Sequence, residues 1–337
     1  MSTLTSLPVP TFSSPLAEAL SRFLAFKRAA GCRYDDEARA LRLLDQFLTT
    51  TLDADDPVIT LDVVRRYVAR RGEESETTRA HRLSLIRQVC RFLALEQPRT
   101  AVPAPRFLAI HRRAFVARVM SQEEGRRFLT ACEHLVTRPW SPIRDTVLGT
   151  ALVLLYFTGL RTGEALRLTI ADVDLTGGVL RIRDTKFGKS RLVPLASDVA
   201  ARLDRCRTTI EGRLGSRTQD APFFSTASGR PYSHTALSTA FHQVLARADI
   251  PRHSAGRSLR LHDLRHGFAV LRLLLWYQQE ADLGARLPAL ATYLGHVGLA
   301  SSQRYLQLTA DMVGEIARRH ERRFGYLISE GGPHDHP

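Results

Sequence analysis

Three prolines between Gln97 and Pro105, in a stretch with little apolar patterning, separate two long regions of helical periodicity. This break limits the possible folds more than any other feature. Proline lacks a backbone N–H and its ring clashes with the preceding turn, so no helix is expected to run through Pro98, Pro103 and Pro105. Before the break, apolar residues recur at three- and four-residue spacing in Leu16, Leu20, Phe23, Leu24 and again in Leu41, Leu44, Phe47, Leu48, the period of amphipathic helices. Two further helices are expected over residues 61–71 and 77–95. The reading is a four-helix module over residues 15–96, preceded by a flexible N-terminus (1–14) and followed by a basic linker (97–119) that contains Arg112 and Arg113.

After the linker a second, larger domain is expected over residues 120–326, with a disordered tail at 327–337. At 337 residues the chain exceeds the size of one compact domain. Ser121 and Glu124 have the spacing of a capping box, a helix start in which each side chain bonds the other's backbone N–H. Residues 179–183 and 191–194 read as strands flanking a Lys-Phe-Gly-Lys turn, so Lys186 falls at or beside a hairpin tip. The fold class is therefore mainly α with a small antiparallel hairpin or sheet in the second domain (α+β).

The formal charge is +14 at pH 7, and both halves are basic: residues 1–119 hold 19 Lys+Arg against 13 Asp+Glu, and residues 120–337 hold 29 against 21. Such an excess on both domains points to a polyanionic partner gripped from two sides. Arg79, Arg82 and Arg87 on the fourth helix, Arg112 and Arg113 in the linker, and Lys189 beside the turn are the candidate phosphate contacts. Only Lys27, Lys186 and Lys189 are lysines among 48 basic residues. Lysine, unlike arginine, can have its pKa brought down far enough to give up a proton, so a lysine kept against that bias is a candidate proton donor. Four scattered cysteines without a C-x-x-C pair indicate neither a zinc site nor a disulfide framework. No signal peptide or membrane-spanning run is expected.

Chemistry-bearing residues concentrate in the second domain. Thr158-Gly-Leu-Arg161 precedes a short helical stretch containing Glu164, a setting in which backbone N–H groups and a guanidinium face one anion, with Glu164 placed to buttress Arg161. His262-Asp-Leu-Arg265 puts an acid–base group and a phosphate fork at i and i+3, with His266 as a neighbour whose direct role is open. Leu294-Gly-His296 follows, and Tyr305 lies nine residues further on. A phenol is a weak nucleophile near neutral pH and needs such a positive, basic surrounding.

In order and type this set resembles the tyrosine recombinase (phage integrase) family, with its weight in residues 156–306. The resemblance implies a helical core-binding (SAM-like) N-terminal domain and a tyrosine-recombinase catalytic domain. It also implies roles: Arg161 and Arg265 bind the scissile phosphate, and Lys186 protonates the departing 5′-oxygen. His262 and His296 assist proton transfer and hydrogen-bond the phosphate, and Tyr305 attacks to form a 3′-phosphotyrosyl link. No metal, cofactor or ATP is implied. The implied partners are double-stranded DNA with inverted-repeat sites and further copies of the chain, a tetramer exchanging a C-terminal helix from residues 311–324. The setting would be the bacterial cytoplasm and nucleoid, within a mobile element. Two rivals share features of the pattern: a type IB topoisomerase, and a DNA-binding accessory protein that has lost catalysis. The 31 positions from Arg265 to His296 exceed the spacing the family commonly shows.

Overall fold

In a computed structural model the chain divides into two compact units, Met1–Phe115 and Val116–Pro337. The structure describes residues 10–32, 34–108, 118–136, 139–183, 190–254 and 257–295. Lys186, Lys189, His296, Tyr305, Arg112, Arg113, the 311–324 segment and the 327–337 tail lie outside those residues. No helix among the described residues is long and apolar enough to cross a membrane.

The first unit has four helices: α1 (Ala17–Ala29), α2 (Asp35–Thr49), α3 (Leu61–Tyr67) and α4 (Glu76–Leu93). Thr60 and Ser75 cap α3 and α4, their side chains accepting from the Val63 and Thr78 amides at 3.3 and 3.2 Å, which satisfies otherwise orphaned first-turn donors. The spaced apolar residues meet in one core of Leu20, Phe23, Leu24, Leu41, Leu44, Leu48, Val64, Ile86 and Val89.

Three details depart from the sequence expectations. Residues 10–14 are held rather than flexible: Phe12 is buried, and the Ser13 and Ser14 amides donate to the buried Asp45 carboxylate at 2.8 and 3.0 Å. Helix α3 stops at Tyr67 instead of Arg71 because side chains from α4 take its last carbonyls. Arg82 donates to the Tyr67 and Ala69 carbonyls and pairs with Glu74, and Arg79 donates to the Val68 carbonyl. Residues 97–108 contain no helix or strand, yet they are fastened to the unit. The Ala101 amide donates to Ile59, Arg87 donates to the Pro103 and Ala104 carbonyls, and Phe107 and Leu108 pack against the core.

The second unit is built around α6 (Arg144–Thr158), an apolar helix buried on most of its circumference. Such a helix must be enclosed on all sides. Around it pack α5 (Gln122–Glu133), α8 (Ser197–Leu214), α9 (His234–Arg247) and α10 (Asp263–Gln278). Helix α5 starts with the full Ser121–Glu124 capping box. Short α7 (Thr162–Leu166) follows α6 after a tight turn. Strands β1 (Val173–Asp174), β2 (Val179–Ile182) and β3 (Arg191–Pro194) form an antiparallel sheet in that order, with Ile182 opposite Arg191 as the last pair along β2. A two-residue ladder pairs β4 (His253–Ser254) with β5 (Arg257–Ser258). The long interval after Arg265 becomes a helical hairpin of α10 and α11 (Leu283–Leu294) with its own core of Ala269, Val270, Leu273, Leu287, Leu290 and Leu294.

Because Arg82 binds two carbonyls and a carboxylate while itself largely buried, Arg82→Ala should lower the stability of the first unit by about 1–3 kcal/mol, the usual cost of leaving buried partners unsatisfied. Thermal melting with hydrogen exchange of the full chain would check this. The loss should appear as faster exchange at the end of α3, and wild-type exchange there would refute the capping role.

Candidate active site

The site forms where the end of α6, the start of α10 and the end of α11 meet beside β3. Its first component is the turn Thr158–Arg161. Gly159 has φ +60°, and a Cβ there would lie 2.6 Å from Phe268 Cδ1, so glycine is required both for the left-handed backbone and for the approach of α10. The turn leads directly into α7, and Arg161 is its N-cap.

Glu164, three residues on, is almost fully buried and is the centre of the site. Its carboxylate accepts from the Arg161 amide at 2.9 Å and from Arg161 Nη1 at 2.8 Å. It also accepts from Arg191 Nη1 at 3.2 Å and Nη2 at 2.8 Å. Burial works to raise the Glu164 pKa, but hydrogen bonds from Arg191 and Arg161 outweigh it and hold the group at about 2.

The end of α11 is the second focus. Its last carbonyls have no intrahelical donors and carry partial negative charge. Three arginines from three different elements supply the donors to consecutive residues: Arg191 Nε to the Tyr293 carbonyl at 2.7 Å, Arg265 Nη2 to Leu294, and Arg161 Nη2 to Gly295 at 2.9 Å. Arg265 also donates to the Gly159 carbonyl at 2.7 Å, so one guanidinium joins both glycine turns. Gly295 has φ +68°, and a Cβ there would stand 2.8 Å from Arg191 Nη1 and 3.5 Å from Arg161 Nη1. The glycine of the Leu-Gly-His string is thus what lets Arg191 close on the main chain.

His262 is the N-cap of α10, and Asp263 beside it is buried, accepting from the Arg260 amide at 2.8 Å. His262 and His266 stand edge to face with centroids 4.8 Å apart. Although His262 keeps an exposed outer face, the protein packed against its inner side lowers its pKa, and the charge of Arg265 adds to this. Burial, then the neighbouring His262, pushes His266 down to about 4. Both rings are therefore neutral near pH 7 and able to accept a proton. The i, i+3 spacing does not give His262 and Arg265 equal access: Arg265 is 2% exposed because its guanidinium lies beneath the end of α11.

The structure thus brings Arg161, Arg265 and His262 together, immediately before His296 in the chain. Arg79, Arg82 and Arg87 instead belong to the first unit, where each bonds main-chain carbonyls; Arg79 also forms a two-pronged pair with Glu76. Arg191 was not singled out from the sequence. One signal was available: alternation along β3 puts it on the same inward face as buried Val193, where a charged residue needs a partner.

Two measurements test this geometry. Gly295→Ala forces a side chain into the left-handed region, at a cost of about 1–2 kcal/mol, and crowds the Arg191 guanidinium. Its denaturation midpoint should fall accordingly, and an unchanged midpoint would mean the turn tolerates a Cβ. For His266, a folded-state pKa near 4 lies below the unfolded value of about 6.5. Its contribution to stability is therefore complete above about pH 6.5 and is lost as pH falls through about 4. Melting temperature should decline across that window, and His266→Gln should flatten the decline; an identical pH profile would exclude His266 as its source.

Residues 118–312 match the phage integrase family. Among curated proteins, y4rE of Sinorhizobium fredii, an integrase/recombinase by name, is 33% identical over 308 residues, covering 91% of this chain and 96% of that protein. Tyrosine recombinase XerD of Ralstonia nicotianae is 27% identical over 323 residues, covering 94% and 97%. Among solved structures, XerH site-specific recombinase bound to palindromic difH substrate superposes with TM-score 0.65 at 16% identity, covering 93% of this chain and 91% of that one. The Tn1549 transposon integrase in complex with a circular intermediate DNA gives TM-score 0.62 at 15% identity, covering 85% and 94%. A match across more than half the chain, together with a relative aligned over nearly its whole length, shows that this chain belongs to the phage integrase family of tyrosine recombinases.

Proposed function

We propose that the chain is a site-specific recombinase in which Tyr305 attacks a DNA phosphodiester held by Arg161 and Arg265. The observation that supports this most is the convergence of Arg161 and Arg265 on the end of α11 at Gly295, with His262 beside the two arginines, one residue before His296 and ten before Tyr305. In the attack the tyrosine oxygen bonds to phosphorus and loses its proton, the P–O5′ bond breaks, and the departing 5′-oxygen takes a proton from Lys186. The product is a 3′-phosphotyrosyl link and a free 5′-hydroxyl. Attack by a 5′-hydroxyl of a partner duplex reverses the step and reseals the strand without ATP. Positive groups fixed before the reaction stabilise the charge that develops on the phosphate oxygens. Neutral His262, with His296, serves as proton acceptor and hydrogen-bond partner of the phosphate.

The substrate in this reading is double-stranded DNA with inverted-repeat sites, as fits relatives solved on DNA such as the lambda integrase dimer bound to a core site. The active assembly is a tetramer exchanging a helix from residues 311–324. The first unit, with residues 10–14 and 97–108 fastened to it, is the core-binding domain in this reading, and residues 120–326 form the catalytic domain. Arg112, Arg113 and Lys189 grip phosphates. Arg79, Arg82 and Arg87 would have to break intramolecular bonds to do so, just as Arg265 must release a carbonyl to reach the scissile phosphate, and solvent-facing Arg66, Arg70 and Arg91 are better placed in the first unit.

Tyr305→Phe should retain DNA binding and abolish covalent protein–DNA adducts on a nicked suicide duplex, while Tyr293→Phe should still form them. Tyr293 is stacked on Phe268 at 5.4 Å, and burial pushes its phenol up to about 12. Adducts that persist in Tyr305→Phe would place the nucleophile elsewhere. Adducts made by wild type that relax supercoils without joining two duplexes would favour the topoisomerase reading.

A further inference from the structure

We infer that Arg191 is a positioning residue whose charge offsets Glu164, so that Arg161 keeps a net attraction for the scissile phosphate. The inference deepens the recombinase reading and rests on it. A buried carboxylate bonded to one arginine forms a neutral pair. A phosphate approaching the far side of that guanidinium would meet the pull of Arg161 and, a short distance behind it, the repulsion of Glu164. Inside a protein both act strongly and largely cancel.

The structure removes that cancellation with a second cation. Arg191 binds the same carboxylate through two nitrogens, at 3.2 and 2.8 Å, so two positive charges surround one negative charge. Exposure separates the roles of the two cations. The Arg161 side chain is 34% exposed, Arg191 10% and Glu164 2%. Only Arg161 has substantial access to a ligand; Arg191 supplies charge from behind. Its Nε is fixed on the Tyr293 carbonyl, which prevents the side chain from swinging out toward DNA. A pair that served only stability would not need this arrangement, since apolar residues of similar volume replace buried ion pairs without loss in many proteins.

The role can be separated from simple cross-linking of β3 to α11 by changing the charge of the substrate. The probe is a nicked duplex selected from a random pool by covalent capture on wild-type full-length protein. It is made in two forms, with an ordinary scissile phosphate and with an uncharged methylphosphonate at that position. Arg191→Gln removes the charge, and Arg191→Lys keeps it with fewer donors. Arg191→Gln should cleave the ordinary duplex at least about tenfold more slowly than wild type, a smaller loss than the roughly 100-fold or more that follows removal of a donor touching the reacting oxygen itself. It should stay within about threefold of wild type on the methylphosphonate, where no anion has to be attracted. Arg191→Lys should recover most of the ordinary rate. Equal slowing of Arg191→Gln on both substrates, or no slowing on the ordinary one, would overturn the inference. If Arg191→Gln does not fold, the lysine variant decides alone, since near-wild-type cleavage supports the charge role and a large equal loss on both substrates overturns it. Failure of the wild-type protein to capture any duplex would defeat the recombinase reading and this inference with it. Capture by wild type with equal slowing in the variant would defeat the inference alone.

Discussion

The end of helix α11 is a row of carbonyl oxygens without helical donors, and the geometry of the site follows from how the fold satisfies them. Tyr293, Leu294 and Gly295 each receive a different arginine, from β3, α10 and the α6–α7 turn. A helix C-terminus attracts cations by its dipole as well as by its lone pairs, so three guanidiniums can gather where mutual repulsion would otherwise separate them. Glu164 adds the one full negative charge needed to hold two of them together. The chain leaves this node at Gly295 and proceeds to His296, so the elements that carry the basic residues also fix the point from which the histidine and tyrosine segment starts.

Directed bonds tie the elements of the node to one another. Arg265 is bonded to carbonyls at both glycine turns, and each glycine has a left-handed φ and a neighbour that excludes a Cβ. Shifting α10 relative to α11 would break bonds at both ends of one guanidinium. The hairpin of α10 and α11 adds a separate apolar core, so the helices are held along their length as well as at the node. Because Glu164 is held at about 2 by its arginines, the charge pattern of the node is constant through the range in which the histidines titrate. Changes of behaviour near neutral pH therefore arise from groups outside the Glu164 pair.

Periodicity and punctuation made much of this legible in advance. Apolar spacing placed the four helices of the first unit, and the strands on either side of the Lys-Phe-Gly-Lys segment were readable as β2 and β3. The Ser121–Glu124 box was visible because capping is a local interaction. What the sequence concealed was set by partners distant along the chain. The early end of α3 depends on Arg82, 15 residues away from Tyr67, and the fastening of residues 97–108 depends on Arg87 and Ile59. Glu164 could be seen as a buttress for Arg161 because it is only three residues away. Arg191, 27 residues from Glu164 and 102 from Tyr293, could not be connected to either by spacing. The excess length after Arg265 was equally opaque until the contact between α10 and α11 showed a second small core.

The arginine bias of the chain bears on how its charge is to be read. A guanidinium offers a planar fork of donors that can bind a carboxylate and a carbonyl, or two carbonyls, at once; an ammonium is a compact point charge. Arg191, Arg265, Arg82 and Arg87 all use that fork inside the protein. Lys27, the one lysine among the described residues, instead rests over the Phe23 ring at 5.4 Å. Part of the +14 formal charge therefore closes helix ends and fastens loops and is not available to a polyanion. Net charge correctly signals the class of partner, but it overstates the number of phosphates the protein can neutralise. Exposed arginines such as Arg66, Arg70 and Arg91 are a better measure of that number than the arginine-rich helix α4 taken as a whole, because a cation already saturated by carbonyls must give up those bonds before it can bind DNA.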